Sequence, residues 1–327
     1  RCLVEAAGHS VILAGNNAFP FSEAVAVEPA PEYIVLEVSS YQLETAKTFR
    51  PWMAAVLNVT PDHFARHKTL ENYAAVKATI FAHQAAGDVA VVNHDDPLVR
   101  PMADGSKATV WPFSLEERLP TGLWFDGKTF RHGDCGIANV NDTLLRGRHN
   151  YQNAICALSM MQAGGFNWPG VLDGLRAFKG VEHRIEYVAT IGDVAYFNDS
   201  KSTNIDSLKV ALESFDTPIV LIAGGQGKGA DYRVLSDLMR AHVRHMVTIG
   251  EDAPKLEEAF GEMVATQRAT DMADAIGRAA AVAAPGDSVL LSPACASFDM
   301  YNSFEHRGRV FKQAVHEYAA QAGEGST

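Results

Sequence analysis

Several short stretches carry residue types that a packed core does not require. Glu37 interrupts the apolar run YIVLEVSS, and His63 stands in TPDH just after AAVLNV. Asp199, Lys201 and Thr203 follow VAYFN, while Gly224, Gly225, Gly227, Lys228 and Gly229 follow IVLIA. Ser297 follows VLLSPACA. Each apolar run reads as a buried strand, so each polar group falls at a strand's carboxyl end, where open parallel sheets gather ligands. The run GGQGKGAD suits close approach of backbone to an anion, because glycine leaves the peptide groups uncovered. It is neither a Walker A loop, since Ile222 stands where that pattern needs glycine, nor a GxGxxG fingerprint.

Lys77 is the most informative single residue. On a helix at about 100° per residue, LENYAAVKATIF places Leu70, Tyr73, Ala74, Ile80 and Phe81 on one face, with Lys77 near its middle. A lysine there must snorkel, find an acidic partner, or lose its charge, since an unpaired buried ammonium is very costly. One reading is snorkelling to a nearby acid; the other is a lysine in a special chemical state near Glu37 and His63. His63 and His67 have the spacing of paired zinc ligands but lack the glutamate of HExxH. Asn93-His94-Asp95-Asp96-Pro97 reads as a strand-to-helix turn with capping aspartates rather than a metal loop. Cys295 reads as a small buried residue rather than a reactive thiol.

Elements that alternate must position these groups. Residues 10–14, 33–38, 54–59 and 89–92 read as short buried strands, and residues 70–83 as a helix with Thr69 as its N-cap. A turn-rich β stretch follows, with Asp126-Gly127 at a hairpin, and residues 150–163 return to helix. A second series places strands at 194–198, 219–223, 245–249 and 288–292. Helices at 202–215, 232–242, 253–260 and 271–284 separate them. Strands spaced by such helices predict parallel βαβ units. The link near residues 178–181 divides the chain into domains at 1–180 and 181–327. The tail QAGEGST reads as frayed.

Composition bounds the partners. The 327 residues are 47% hydrophobic, enough for packed cores, yet no apolar run nears the ~20 residues that span a bilayer. A formal charge of −11 argues against a nucleic-acid surface. Cys2, Cys135, Cys156 and Cys295 are far apart, which suits a reducing compartment.

LEVSSYQLET, LNVTPDHFARH, NYAAVKATIF, GRHNYQNAICAL, EHRIE, NDSKSTN, GGQGKGADY and LLSPACASFDMYNSFEHRG occur in this order. Together they resemble the Mur ligases, from Gly15 to about Ala320, and the last motif most resembles the D-glutamate-adding branch. The resemblance implies an α/β fold: a central parallel-sheet ATPase domain of Mur ligase type followed by a Rossmann-like C-terminal domain. It implies ATP-dependent amide formation, in which the alanyl carboxylate of UDP-N-acetylmuramoyl-L-alanine takes the γ-phosphate of ATP. The amine of D-glutamate then attacks the acyl phosphate. ATP and Mg2+ are the implied cofactors, Glu37 and His63 the metal positions, and Lys77 a lysine bearing a carbamate beside them. Catalytic weight therefore falls on Lys77, His63 and Glu37.

The same likeness assigns Asn16 and Ser39 to the nucleotide-sugar and phosphate region. Asn150 and Asn153 match adenine and phosphate contacts; Arg184, Asp199 and Lys201 match ATP contacts, the aspartate suiting ribose hydroxyls. Thr203, Lys228, Ser297 and Phe304 match the D-glutamate pocket, with Phe298 beside it. Ala18-Phe19 departs from the family's glycine-rich turn next to Asn16. Nucleotide and amino-acid contacts fall in different domains, so closure about residues 179–181 is expected. The expected setting is peptidoglycan synthesis in a bacterial cytoplasm, by a monomer with no nucleic-acid or membrane partner. Residues 5–9 read as the end of a helix, so the family's first domain and phosphate loop are expected to be missing from this chain. Two alternatives stay open: a sister ligase, either another Mur ligase or a folylpolyglutamate synthetase, or a two-domain fragment that binds ligands and turns nothing over.

Overall fold

A computed structural model describes residues 1–16, 19–60 and 63–324. Ala18, Asp62 and the last residues of the tail lie outside the described residues. The chain forms two compact units, Arg1–Phe178 and Lys179–Thr327.

In the first unit, β1 (Val11–Gly15) and β2 (Tyr33–Glu37) form a two-stranded parallel sheet with Gly15 opposite Glu37. Neither is the fully buried strand expected. Leu13 is 39% exposed and β2 is only partly covered along its length. A six-stranded sheet runs in chain order through β3 (Met53–Val56), β4 (Val89–Asn93), β5 (Thr109–Ser114), β6 (Leu123–Phe125), β7 (Thr129–His132) and β8 (Cys135–Asn139). Its first four strands pair in parallel and the last three antiparallel. The hairpin between β6 and β7 forms as expected. Asp126 Oδ1 accepts from the N–H groups of Lys128 and Thr129, and Gly127 turns at φ +91°. Phe113, Leu123, Phe130 and Ile155 make one core on one side of this sheet, while Val92, Phe81, Tyr73 and Val99 make another.

The second unit is built on six strands: β9 (Glu186–Ile191), β10 (Val194–Asn198), β11 (Ile219–Gly224), β12 (Val243–Ile249), β13 (Ala265–Arg268) and β14 (Ser288–Leu291). Their spatial order is β13-β12-β11-β14-β10-β9, all parallel except β9. Strands β11 and β14 are buried at every position, as continuous apolar runs covered on both faces should be. Separate clusters around Leu208, Leu221 and Phe260, and around Val220, Ile276 and Phe311, fill the two faces. From β11 the chain winds outward to β13 and then returns to β14. The carboxyl ends of β11, β14 and β10 thus lie side by side at a switch in strand order, where this class of sheet leaves a crevice.

Candidate functional site

In the first unit, parallel pairing brings the ends of β1 and β2 together. Asn16 N–H donates to the Glu37 carbonyl at 2.8 Å, and Asn16 Nδ2 reaches Glu37 Oε1 at 3.4 Å. The Glu37 side chain is otherwise exposed. Two residues on, Ser39 caps the helix Ser40–Leu43: its Oγ accepts from Gln42 N–H at 3.3 Å while Gln42 Oε1 accepts from Ser39 N–H at 2.8 Å. The Ser39 hydroxyl therefore serves the local fold.

Tyr73 is the hub of the next group. His67 stacks on its ring at 5.0 Å, His63 meets it edge-on at 5.9 Å, and Lys77 Nζ lies 5.0 Å from its centroid. His67 is buried, with Nε2 on Ser40 Oγ at 2.9 Å and Nδ1 3.4 Å from Glu44. Those contacts give His67 a place in the local packing. His63 is exposed, has φ +53°, and packs against Tyr41 at 5.2 Å. Lys77 shares a helix face with Tyr73 and Ala74. Tyr73, Ala74 and Phe81 are buried as expected, but the α-helix ends at Ala78 and a 3-10 turn covers Thr79–Phe81. Lys77, inside the regular part of the helix, is half-buried, with its ammonium 5.0 Å from the centre of the Tyr73 ring. Among the described residues, no three His, Cys, Asp or Glu side chains gather as a metal cage.

The helix Arg148–Ala163 begins after Gly147, whose φ of +84° sets the entry. Asn150 Nδ2 donates to the Arg146 carbonyl at 2.8 Å, and Asn153 faces solvent. A cleft of about 490 Å³ opens at this helix start, lined by Asn58, Asn93, Asp95, Asp96, Arg148 and Gln152 among others. Asp95 and Asp96 are turn residues, as read from the sequence. Asp96 accepts from the N–H groups of Val59, Leu98 and Val99, and Asp95 from Leu115 N–H.

The second unit assembles its candidates at the switch point. Gly224 N–H donates to the Pro293 carbonyl at 2.9 Å, and Gln226 and Ala296 exchange two backbone bonds of 2.9 Å. Gly224 and Gly225 have φ of +125° and +129°, and a Cβ on either would collide with the Ile249 or Ala296 carbonyl. Glycine here is a condition of the loop's shape. Lys228, three residues on, is exposed. Ser297 is 2% exposed and its carbonyl accepts from Met300 and Tyr301 N–H, whereas the neighbouring Phe298 is 69% exposed. Lys201 is exposed and lies 5.8 Å from the Phe304 ring centre. Thr203 is half-buried in the same turn, its N–H on the Lys201 carbonyl at 2.9 Å. Arg184 is exposed on a short bridge to Val181.

Asp199 is buried at the end of β10. Its carboxylate points inward. Oδ2 accepts from Ser292 Oγ at 2.8 Å and Oδ1 from Ile185 N–H at 3.2 Å. Burial pushes its pKa up to about 7, against the pull of those two bonds.

Sequence reasoning missed Arg307. Its guanidinium is 1% exposed and spans two loops: Nε donates to Ser200 Oγ at 3.0 Å, Nη2 to the Ser200 carbonyl at 2.9 Å, and Nη1 to the Cys295 and Ala296 carbonyls at 3.1 and 3.3 Å. Burial lowers its pKa to about 10, well above neutrality, so it stays charged. The only available signal was its place in the motif FEHRG. An arginine on a helix ordinarily reads as surface.

Residues 12–161 match the Mur ligase middle domain and residues 183–295 the Mur ligase glutamate ligase domain. A UDP-N-acetylmuramoylalanine–D-glutamate ligase of Caldanaerobacter subterraneus subsp. tengcongensis is 41% identical over 314 residues, covering 94% of this chain and 70% of that protein. The chain belongs to the Mur ligase family. A ligase of the same name from Salinibacter ruber is 44% identical over 322 residues, covering 94% of this chain and 69% of its own length. Among solved structures, UDP-N-acetylmuramoyl-L-alanyl-D-glutamate–2,6-diaminopimelate ligase superposes with a TM-score of 0.70 at 18% identity, covering 97% of this Mur ligase and 76% of that chain. The MurF ligase of Thermotoga maritima, solved in complex with ADP, gives 0.65 at 17%, with the same coverage. At such identities those two likenesses bear on the fold alone, and they agree with the α/β organisation expected for this Mur ligase.

Proposed function

We propose that this Mur ligase joins D-glutamate to UDP-N-acetylmuramoyl-L-alanine at the expense of ATP, as a step of peptidoglycan precursor synthesis in the bacterial cytoplasm. The observation that carries this reading is identity of 41% and 44% across nearly the whole chain to ligases named for that reaction. An acyl phosphate on the alanyl carboxylate, followed by attack of the D-glutamate amine, accounts for the use of ATP in amide formation.

The residues divide the work by chemistry. In the second unit, Lys228 supplies the cation that a dicarboxylic amino acid calls for, with the hydroxyls of Ser297 and Thr203 as donors and Phe304 and Phe298 as apolar borders. Lys201 and Arg184, both exposed, suit the phosphates and ribose of a nucleotide. Asp199 acts behind them, holding the backbone at Ile185 beside Arg184. In the first unit, Asn150 and Asn153 take the adenine and nearby phosphate, while Asn16 and Ser39 flank the nucleotide sugar.

Magnesium fits the exposed oxygen donors at Glu37, and His63 would hold a second ion. Mg2+ takes one or two carboxylates and completes its shell with water and phosphate, so the lack of a three-residue cage among the described residues suits it. When bound, it neutralises the phosphate oxygens during transfer. Lys77, sharing the Tyr73 ring with His63, is the residue we assign to a carbamate that adds anionic oxygens there. Its half-exposed position leaves the amine accessible to carbon dioxide.

Phosphate release by the full-length protein with ATP, Mg2+, UDP-N-acetylmuramoyl-L-alanine and one amino acid at a time tests this. We expect release with D-glutamate and none with L-glutamate, L-lysine or diaminopimelate. Release driven by another amino acid or by a folate substrate would move the protein to a sister activity. No release with any of them would make it a binding module.

A further inference from the structure

Asp252 is outside every group considered so far. It precedes the helix Ala253–Phe260, and its side chain is 3% exposed although it carries a carboxylate. Three donors converge on it: Tyr232 Oη at 2.8 Å on Oδ2, Lys255 Nζ at 2.7 Å on Oδ1, and the N–H of Gly227. Its own N–H donates to the Gly225 carbonyl at 2.9 Å. The contact is so close that a Cβ on Gly227 would collide with Oδ2. From the other side, Gln226 is paired to Ala296, and Tyr232 Oη also touches Cys295 Sγ at 3.1 Å. The glycine loop is therefore held between Asp252 and the segment that ends in Ser297. Burial alone would raise the pKa of Asp252; the bonds from Lys255 and Tyr232 outweigh it and hold the carboxyl below its usual range.

We propose that Asp252, oriented by Tyr232, is the positioning residue for Lys228. By fixing Gly225 and Gly227 on both sides of Gln226, it sets where the backbone delivers the next residue. It thereby determines where the Lys228 ammonium meets the side-chain carboxylate of the incoming amino acid. A buried carboxylate accepting from a loop N–H resists the loop's opening, since breaking that bond removes one of the three donors that satisfy it. The inference rests on the reading that Lys228 belongs to the amino-acid pocket.

Two readouts on the full-length protein test it, with Asp252→Asn keeping size and removing charge. Amide exchange across residues 225–229 should quicken about tenfold in the variant while the interior amides of β11 and β12 stay unchanged. The KM for D-glutamate should rise about tenfold with the KM for ATP within about twofold. Tyr232→Phe, which leaves the carboxylate in place, should move both readouts the same way by a smaller factor, and it serves if Asp252→Asn fails to fold. Unchanged loop exchange, or KM values for both substrates rising together, would overturn the proposal. If the unaltered protein ignores D-glutamate, the functional reading fails, and the exchange measurement alone decides whether Asp252 holds the loop.

Discussion

Asp199 is a carboxylate whose surroundings favour the proton. Its folded pKa of about 7 stands above the ordinary 3.8, so between those values the folded state binds a proton that the unfolded chain releases. Its contribution to stability is fully present below about pH 4 and is lost as pH rises to about 7. The Asp199→Asn variant has no such proton to lose. Urea midpoints measured from about pH 4 to 8 should therefore show the stability of the unaltered protein falling relative to the variant up to about pH 7, then levelling. Parallel curves would count against a raised pKa at this site. At this scale the sequence marked Asp199, Lys201 and Lys228 as chemistry-bearing residues, and the structure describes the last two as exposed. It could not mark which way Asp199 points. That depends on Ser292, distant in the chain, being opposite the end of β10.

At the scale of elements, Arg307 joins what the strands leave loose. It is near the start of the helix Phe304–Glu324, and its guanidinium satisfies carbonyls in two separate loops. Arg307→Met fills similar space and orphans those acceptors, so a loss of about 3 kcal/mol is expected. Urea unfolding followed by a probe in residues 179–324 measures it; a change within about 0.5 kcal/mol would show that water replaces the arginine at no cost.

Periodicity located the elements well wherever it was strong. β10 and the helix Ala253–Phe260 fall at their expected ends, and Thr69 caps its helix through a 3.1 Å bond from Asn72 N–H. The helix expected from residue 202 begins instead at Ile205, because Asn204 accepts from Ser207 N–H and sets the start. Edge strands β9 and β13, with mixed polar sequences, gave no comparable signal. A helix wheel assumes one pitch, so it holds for Tyr73, Ala74 and Lys77 within the α-helix but not for Ile80 and Phe81 in the 3-10 turn.

On the whole molecule, residues proposed for one ATP fall in two units, with Asn150 in the first and Arg184 in the second. The link expected at residues 179–181 is already tied into the second unit, by Tyr187 N–H on the Lys179 carbonyl at 3.0 Å and by the bridge from Val181 to Arg184. Small-angle scattering of the full-length enzyme should give a smaller radius of gyration with an ATP analogue and D-glutamate than without ligands. Superimposable profiles would show that catalysis needs no such closure.

The cysteines have a consequence for chemical labelling. Cys2 and Cys135 are exposed, whereas Cys156 and Cys295 are buried, one in each unit, with thiols pushed up to about 12 and about 11. An alkylating reagent meets the exposed pair at once, and each hidden thiol only when its own unit opens. The protein thus carries two internal stopwatches, one per unit, that can be read separately by mass without altering a residue.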